Sequence, residues 1–209
     1  MATNRLTVQE AGFLLDRASA TINRAIDRDK VAAWKSSTGQ RLLDFAAVRY
    51  LGLATDLDKT LTPQGRRQVY SAIKRLPLNV HRVTLGAMHF ELKEIDQALE
   101  TKVDRLKAVR GSVDHKAGQD PFLKHTTIPV HMIAALARGQ SVDEIVEDFP
   151  SLSAEQVRAA IDYARAYPKV GRPYPERSFK RMLADAAQVG AFDPLPDDDD
   201  QDDDAPAAS

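Results

Sequence analysis

Apolar residues recur every three or four positions along most of the chain, which is the spacing of helices with one buried face. The first run follows Thr7 and Glu10, a pair that can cap a helix reciprocally, and predicts a short helix over about residues 8–15. After a short turn, Ser19 is the expected cap of a second helix. Its predicted inner positions are Ile22, Ala25 and Ile26. Two helices joined in this way favour a helix-turn-helix unit.

The next stretch changes from helical spacing to a strand pattern. Residues 31–35 and 41–43 predict a small hairpin around a polar turn in which Gly39 supplies the unusual backbone angle. Asp44 can then cap a third helix. Its predicted inner positions are Phe45, Val48, Leu51 and Leu53. The order predicts a winged helix-turn-helix head over residues 1–57.

A connecting region follows at residues 58–110. Thr62 and Pro63 form a strong helix start, and the spacing after them predicts a helix of about 13 residues. Two short strands around Gly86 and a helix over about residues 94–109 come next. Linker, dimer contact and extension of the head all remain open for this region.

Three more helices are predicted in residues 111–168. The first ends at Gly139, and the next two begin with the capping residues Ser141 and Ser153. Residues 169–196 form a C-terminal arm, with a basic, proline-broken segment over 169–177 and a short amphipathic helix over 178–189, and residues 197–209 form an acidic tail. The predicted class is therefore mainly α, with a winged head, a second three-helix helix-turn-helix-like module and a disordered tail.

Charge is distributed unevenly along the chain. Residues 1–110 carry a net charge of +7, residues 111–196 of −1 and residues 197–209 of −7. The basic first half suits a polyanionic partner. The chain has no cysteine, and we find no signal peptide, apolar run of membrane-spanning length, metal-ligand spacing or glycine-rich phosphate loop. We therefore expect a cytoplasmic protein that is not an enzyme, has no cofactor or metal site and does not enter membranes.

The head resembles the winged heads of MerR and excisionase regulators. The resemblance covers about a quarter of the chain and is carried by Leu6-Thr7-Val8 at the first helix and Leu42-Leu43-Asp44 before the third. In such heads the second helix enters the major groove of DNA. The candidate base contacts are Thr21, Asn23 and Arg24. The candidate phosphate contacts are Arg17, Arg28, Lys30, Lys35 and Arg41. Protein binding by the same surface is the alternative.

The second module resembles a small helical domain associated with VapB-type antitoxins, whose partner is a PIN-fold ribonuclease toxin. The resemblance spans about residues 109–168 and rests on Thr127-Ile128-Pro129-Val130, Gly139-x-Ser141-Val142 and Val157-x-x-Ala160-Ile161. One departure is Lys124-His125-Thr126, where a glycine-rich turn is usual. Residues 126–168 contain three basic and six acidic side chains. This excess of negative charge favours dimerisation or toxin docking over DNA binding.

The resemblance also implies that the C-terminal arm wraps the toxin and places a basic side chain among its metal-binding carboxylates. The candidate toxin contacts are Arg172, Arg177, Phe179, Lys180, Arg181 and Leu183. A terminal helix packed on the second module is the alternative for this arm. The predicted function is an antitoxin that represses its own operon, as a homodimer within a toxin–antitoxin complex. A stand-alone DNA-binding regulator is the second hypothesis.

Overall fold

The computed structural model describes residues 5–188, and the mainly α class predicted above is confirmed. The helices are α1 (Val8–Leu15), α2 (Ser19–Asp29), α3 (Phe45–Thr60), α4 (Pro63–Arg75), α5 (Lys93–Gly111), α6 (Val130–Leu136), α7 (Val142–Asp148), α8 (Ala154–Ala166) and α9 (Phe179–Gln188). The strands are β1 (Leu6–Thr7), β2 (Trp34–Lys35), β3 (Arg41–Leu43), β4 (Arg82–Leu85), β5 (Met88–Glu91), β6 (Val113–Asp114) and β7 (Phe122–Leu123). The acidic tail at 197–209 lies outside the described residues.

Most helices begin where local capping chemistry places them. Thr7, Ser141 and Ser153 each form a complete capping box, and the Asp44 carboxylate accepts a hydrogen bond from the Ala47 amide at 2.7 Å. The prediction that Ser19 caps α2 is wrong. The turn ends one residue earlier, so Ser19 is already helical and Ala18 occupies the cap without a side-chain hydrogen bond.

The wing is a three-stranded antiparallel sheet in the order β1-β3-β2. Leu42 of β3 lies opposite Trp34 in the predicted hairpin, and Leu43 lies opposite Leu6 on the other side. The sequence pattern predicted only the hairpin, because a two-residue strand such as β1 has no periodicity to recognise. Its pairing ties the chain in front of α1 to the wing.

The connecting region shares one core with the head. The buried apolar cluster runs without a break from Leu6 to Leu106, so burial does not change at residue 57. The fully buried Arg49 of α3 reinforces this packing by donating to both carboxylate oxygens of Asp96 in α5 at 2.7 Å and to the Val80 carbonyl at 2.8 Å. The region at 58–110 is therefore packed onto the head rather than tethered to it.

The second module has its own core, which includes residues from Val109 to Tyr163. It joins the head where the end of α8 meets α1 and α5. The carboxylate of Glu10, only 4% exposed, accepts hydrogen bonds there from the Tyr167 hydroxyl at 2.5 Å and from Arg110. Burial alone would raise the pKa of Glu10, but the hydrogen bonds from Tyr167, the Thr7 amide and Arg110 outweigh it, so the pKa lies below its ordinary value.

Candidate nucleic-acid interface

Helix α2 presents a clear inner and outer face. Ile22 and Ile26 are buried against the head core. At 100° per residue, the centre of the opposite face falls on Ala20, Arg24 and Asp27, all of which are exposed. Arg24, one of the predicted base contacts, therefore lies in the middle of the outward face. Ala20 escaped the sequence analysis because a small apolar side chain carries no charge signal, although alanine can contact the thymine methyl group.

The other two predicted base contacts lie on opposite flanks of α2. Thr21 lines a cleft of about 470 Å³ between α2 and α3, which Arg24 also lines. Asn23 lies on the wing side, where its side-chain oxygen accepts a hydrogen bond from Arg41 at 3.2 Å. The structure thus brings Thr21 and Arg24 together at one cleft, whereas Asn23 points about 200° from Thr21 and about 100° from Arg24 around the helix axis.

Two of the predicted phosphate contacts, Lys30 and Lys35, are open to solvent. Lys30 ends α2 in the left-handed region, with φ 56°, and Lys35 lies on β2 of the wing. No carboxylate of residues 5–188 lies within 4 Å of either ammonium group. Their role as phosphate contacts stays a prediction.

The three arginines predicted to bind phosphate bind the protein itself. Arg17 donates to the carbonyls of Leu51 at 2.9 Å and Gly52 at 3.1 Å. Arg28 pairs with two carboxylates, and Arg41 pairs with Asp27 at 2.8 Å. We therefore assign these arginines to positioning α2 rather than to free phosphate contacts. Sequence alone shows the charge of an arginine but not the partner that the fold supplies.

A buried carboxylate holds α2 to the neighbouring helices. Asp29 is fully buried and accepts hydrogen bonds from Arg28 at 3.0 Å, Arg66 of α4 at 2.7 Å and the Tyr50 hydroxyl of α3 at 2.8 Å. Burial would raise the pKa of Asp29, but these three donors outweigh it and hold the pKa below its ordinary value. The signal was present in the sequence, because Asp29 shares the helical phase of Ile22 and Ile26.

The wing carries a cation that the sequence analysis missed. The Arg5 guanidinium lies over the ring of Trp34 with 4.5 Å between its central carbon and the ring centroid. Such stacking of a cation on a tryptophan face is favourable. Arg5 thus adds a third basic group to the wing, beside Lys35 and Arg41. Its position on the wing follows from the pairing of β1 with β3.

The turn between α1 and α2 is specified by close packing. An added Cβ at Gly12 would lie 2.6 Å from the carbonyl oxygen of Arg17, so no larger residue fits there without movement. Asp16 adopts φ 49° at the end of α1, and its carboxylate pairs with Lys102 of α5 and with Arg165 of α8 at 3.4 Å. The turn in front of α2 is thus tied to both neighbouring modules.

The C-terminal arm is anchored on the second module by its polar side. Ser178 is buried and donates through its hydroxyl to Asp148 at 2.6 Å, while its amide donates to the Gln140 side chain at 3.0 Å. Arg181 binds three carboxylates of α7 at 3.0–3.2 Å. These carboxylates belong to Glu144, Glu147 and Asp148. Arg181, predicted to contact the toxin, is therefore already used inside the protein.

The opposite side of α9 exposes apolar side chains. Phe179 is 74% exposed, Met182 49% and Leu183 42%. Among the basic candidates, Arg177 pairs with Asp185 and Lys180 lies 3.7 Å from Asp148. Only the exposed Arg172 has no carboxylate of residues 5–188 within 4 Å. The structure thus turns the apolar candidates outward and engages most of the basic ones.

The described part of the chain has neither a membrane-spanning helix nor a metal-binding cluster. No helix within residues 5–188 combines the length and the apolar character required to cross a bilayer. Over the same residues, no cluster of three or more histidine, aspartate or glutamate side chains has an arrangement that could hold a metal ion. His131 is buried beside the Tyr163 ring, with 5.8 Å between ring centroids, and burial lowers its pKa.

The similarities found among known proteins are to uncharacterised ones. Residues 114–164 match the model of a family described as a protein of unknown function (DUF433), and they cover β6 to α8 of the second module. The chain is also 34% identical over 112 residues to an uncharacterised protein, y4eO, of Sinorhizobium fredii (strain NBRC 101917 / NGR234). That similarity covers 52% of this chain and 50% of the relative, so the chain spans about half the length of the curated relative it matches. No solved structure matches the chain.

Proposed function

We propose that this protein is a DNA-binding antitoxin that binds its operator through α2 and the wing and binds a PIN-fold ribonuclease toxin through α9. One observation carries the DNA-binding part. α2 buries Ile22 and Ile26 and leaves Arg24 at the centre of an open face, while the wing separately exposes Lys35. This arrangement suits the major groove, with Arg24 reading a guanine edge and Lys30 and Lys35 binding phosphates.

The antitoxin part rests on the resemblance of the second module and is supported by the exposed face of α9. Phe179, Met182 and Leu183 form an apolar surface on a helix that its polar side holds in place. A preformed amphipathic helix of this kind fits a hydrophobic groove on a partner. Because Arg181 is bound to α7, we assign toxin contact to the apolar side chains and to Arg172. A homodimer remains part of the proposal, since palindromic operators are read by paired heads.

DNA binding is tested with the fragment directly upstream of the gene in a gel-shift titration. Arg24→Ala should weaken binding by about five- to 150-fold relative to wild type, because a bidentate arginine–guanine pair contributes about 1–3 kcal/mol of discrimination. Lys124→Ala removes an exposed charge from the second module, which has its own core, and serves as the matched control. Equal binding by both variants would contradict the assignment of α2.

Toxin neutralisation is tested by inducing the neighbouring gene and supplying either the full chain or a version ending at Pro168. Rescue of growth by the full chain alone supports neutralisation through the arm. The double variant Phe179→Ser with Leu183→Ser should lose rescue while keeping DNA binding. If the neighbouring gene is harmless, or if the shortened chain rescues equally well, the antitoxin proposal fails.

The second candidate is a stand-alone DNA-binding regulator without a toxin. The anchoring of α9 on α7 favours it, because Ser178 and Arg181 are placed as in an ordinary terminal helix packed on its own domain. Under this alternative, operator binding persists in the chain ending at Pro168 and no neighbouring toxicity exists to relieve. The rescue experiment therefore separates the two candidates.

A further inference from the structure

The element order of the head occurs a second time in the next part of the chain. α1, a short turn, α2 and the β2–β3 hairpin are followed by α3, a turn, α4 and the β4–β5 hairpin. α3 packs against α4, and β4 packs against α4 in turn. We call α4 together with β4 and β5 the second helix–hairpin unit. Its order of elements matches that of a helix-turn-helix motif followed by a wing.

Helix α4 also has distinct inner and outer faces. Val69 and Ile73 are fully buried, and Arg66 and Tyr70 lie beside them. The outer side carries polar and basic side chains at helical spacing. These residues, which we call the α4 stripe, are Gln64, Arg67, Gln68, Ser71, Lys74 and Arg75. The stripe is roughly 16 Å long at 1.5 Å per residue, so it spans several phosphates of a duplex.

The unit is more basic than the predicted recognition surface. Residues 63–91 contain five lysines and arginines and one carboxylate, a net charge of +4, whereas residues 19–43 have +3. The single carboxylate, Glu91, pairs with Arg82 at 2.5 Å. Within residues 5–188, no carboxylate comes within 4 Å of the charged groups of Arg67, Lys74 or Arg75. Three neighbouring cations on one helix thus have no counter-charge in this part of the chain, which suits a polyanionic ligand.

We infer that the α4 stripe is a second surface for duplex DNA on the same protomer. Arg67, Lys74 and Arg75 bind phosphates, and the amides of Gln64 and Gln68 contact the duplex between them. The inference rests on the proposed function, because the α4 stripe would lengthen the contact that α2 makes with DNA. α4 is held to the end of α2 by the Arg66–Asp29 pair at 2.7 Å and by the Tyr70 hydroxyl, which accepts from the Ala32 amide at 3.1 Å. These contacts hold α4 beside the end of α2 in a fixed orientation.

The test measures binding to a fluorescein-labelled duplex of about 40 base pairs and arbitrary sequence over a series of salt concentrations, using the full chain. The variant Arg67→Gln with Lys74→Gln and Arg75→Gln removes the three cations. Its matched control, Lys116→Gln with Lys124→Gln and Arg158→Gln, removes three exposed cations of the second module and gives the same net charge.

We expect the α4 variant to lose at least about tenfold in affinity at moderate salt and the control to lose far less. The slope of log affinity against log salt should fall by roughly 0.9 for each phosphate contact removed, and so by two to three units. Melting curves of both variants verify folding. A charge-preserving variant, Arg67→Lys with Lys74→Arg and Arg75→Lys, should bind like wild type. Equal affinity and slope in the α4 variant and its control would overturn the inference.

The same probes distinguish this inference from the head assignment. Arg24→Ala should remove preference for the upstream fragment over the arbitrary duplex, whereas the α4 variant should weaken both equally. If the α4 variant binds as well as wild type while Arg24→Ala loses its preference, the second surface is wrong and the head assignment stands. If the α4 variant loses affinity while Arg24→Ala keeps its preference for the upstream fragment, the second surface stands and the head assignment is wrong. Absence of any DNA binding by wild type would overturn both.

Discussion

Asp29 provides the sharpest test of what holds α2 in place. Asp29→Asn keeps the shape of the side chain and an acceptor for the Tyr50 hydroxyl, but it removes the charge that faces Arg66, whose side chain is only 6% exposed. Breaking a buried ion pair by removing one partner typically costs about 3–5 kcal/mol. Asp58 stays 3.1 Å from Arg66 and compensates in part, so we expect a loss of about 3 kcal/mol in the free energy of unfolding.

The assay is urea unfolding followed by far-ultraviolet circular dichroism at neutral pH. With a urea dependence of about 2–3 kcal/mol per molar, the midpoint should fall by roughly 1–1.5 M and the slope should stay unchanged. Asp58→Asn is the matched control, because its side chain is 44% exposed and its ion pairs contribute about 0–1 kcal/mol. Equal losses in the two variants would refute the assignment of Asp29 as the central charge.

The pH dependence gives an independent check on the same carboxylate. Its pKa is lower in the folded protein than in the unfolded chain, where the ordinary value is about 3.9. The stabilisation by the charged form is therefore complete above that value and is lost as the pH falls through the folded pKa. The difference in unfolding free energy between wild type and Asp29→Asn should shrink on acidification. If the difference in unfolding free energy stays constant into strong acid, the shape of the Asp29 side chain and not its charge accounts for the stabilisation.

Three other changes have defined outcomes. Gly139→Ala places a methyl group 2.6 Å from the Glu176 carbonyl oxygen, so hydrogen exchange of the α9 amides should rise; Gly111→Ala, with nothing within 4 Å of the added carbon, should not change it. Glu10→Gln should cost about 1–3 kcal/mol, measured by urea unfolding, because it removes a buried charged acceptor for Tyr167 and Arg110. Since the folded pKa of Glu10 lies below its ordinary value, its contribution should disappear as the pH falls through that folded value, and a wild-type advantage that persists in strong acid would contradict this. Phe179→Ser with Leu183→Ser should leave the melting temperature nearly unchanged, because both side chains are exposed; a large drop would mean that this face packs within the protein.

Local chemistry explains most of what the sequence predicted correctly. Capping pairs such as Ser141 with Glu144 are separated by three residues, so the signal and the structure lie in the same short segment. The start of α4 at Pro63 follows from the same kind of signal. The class of the fold and the helix starts that carry a side-chain cap were therefore accessible without any knowledge of tertiary structure, whereas the uncapped start of α2 was not.

The candidate site was less predictable, because its geometry depends on distant partners. Arg17 finds the Leu51 carbonyl 34 positions away, and Arg66 finds Asp29 37 positions away. Neither pairing leaves a local sequence pattern, so the sequence shows only that both side chains are positively charged. The arm shows the same limit: its amphipathic character was visible, but the carboxylates of α7 decide that the side carrying Arg181 faces inward.

The stacking of Arg5 on Trp34 gives the molecule a built-in optical reporter. The chain contains a single tryptophan, and it lies on the wing. Indole emission responds to nearby charge and to water. A phosphate that binds Arg5 and removes it from the Trp34 ring should therefore change the wavelength and the intensity of the tryptophan fluorescence. Wing occupancy can therefore be followed in unlabelled protein, separately from contacts made at α4 or α9, which carry no indole.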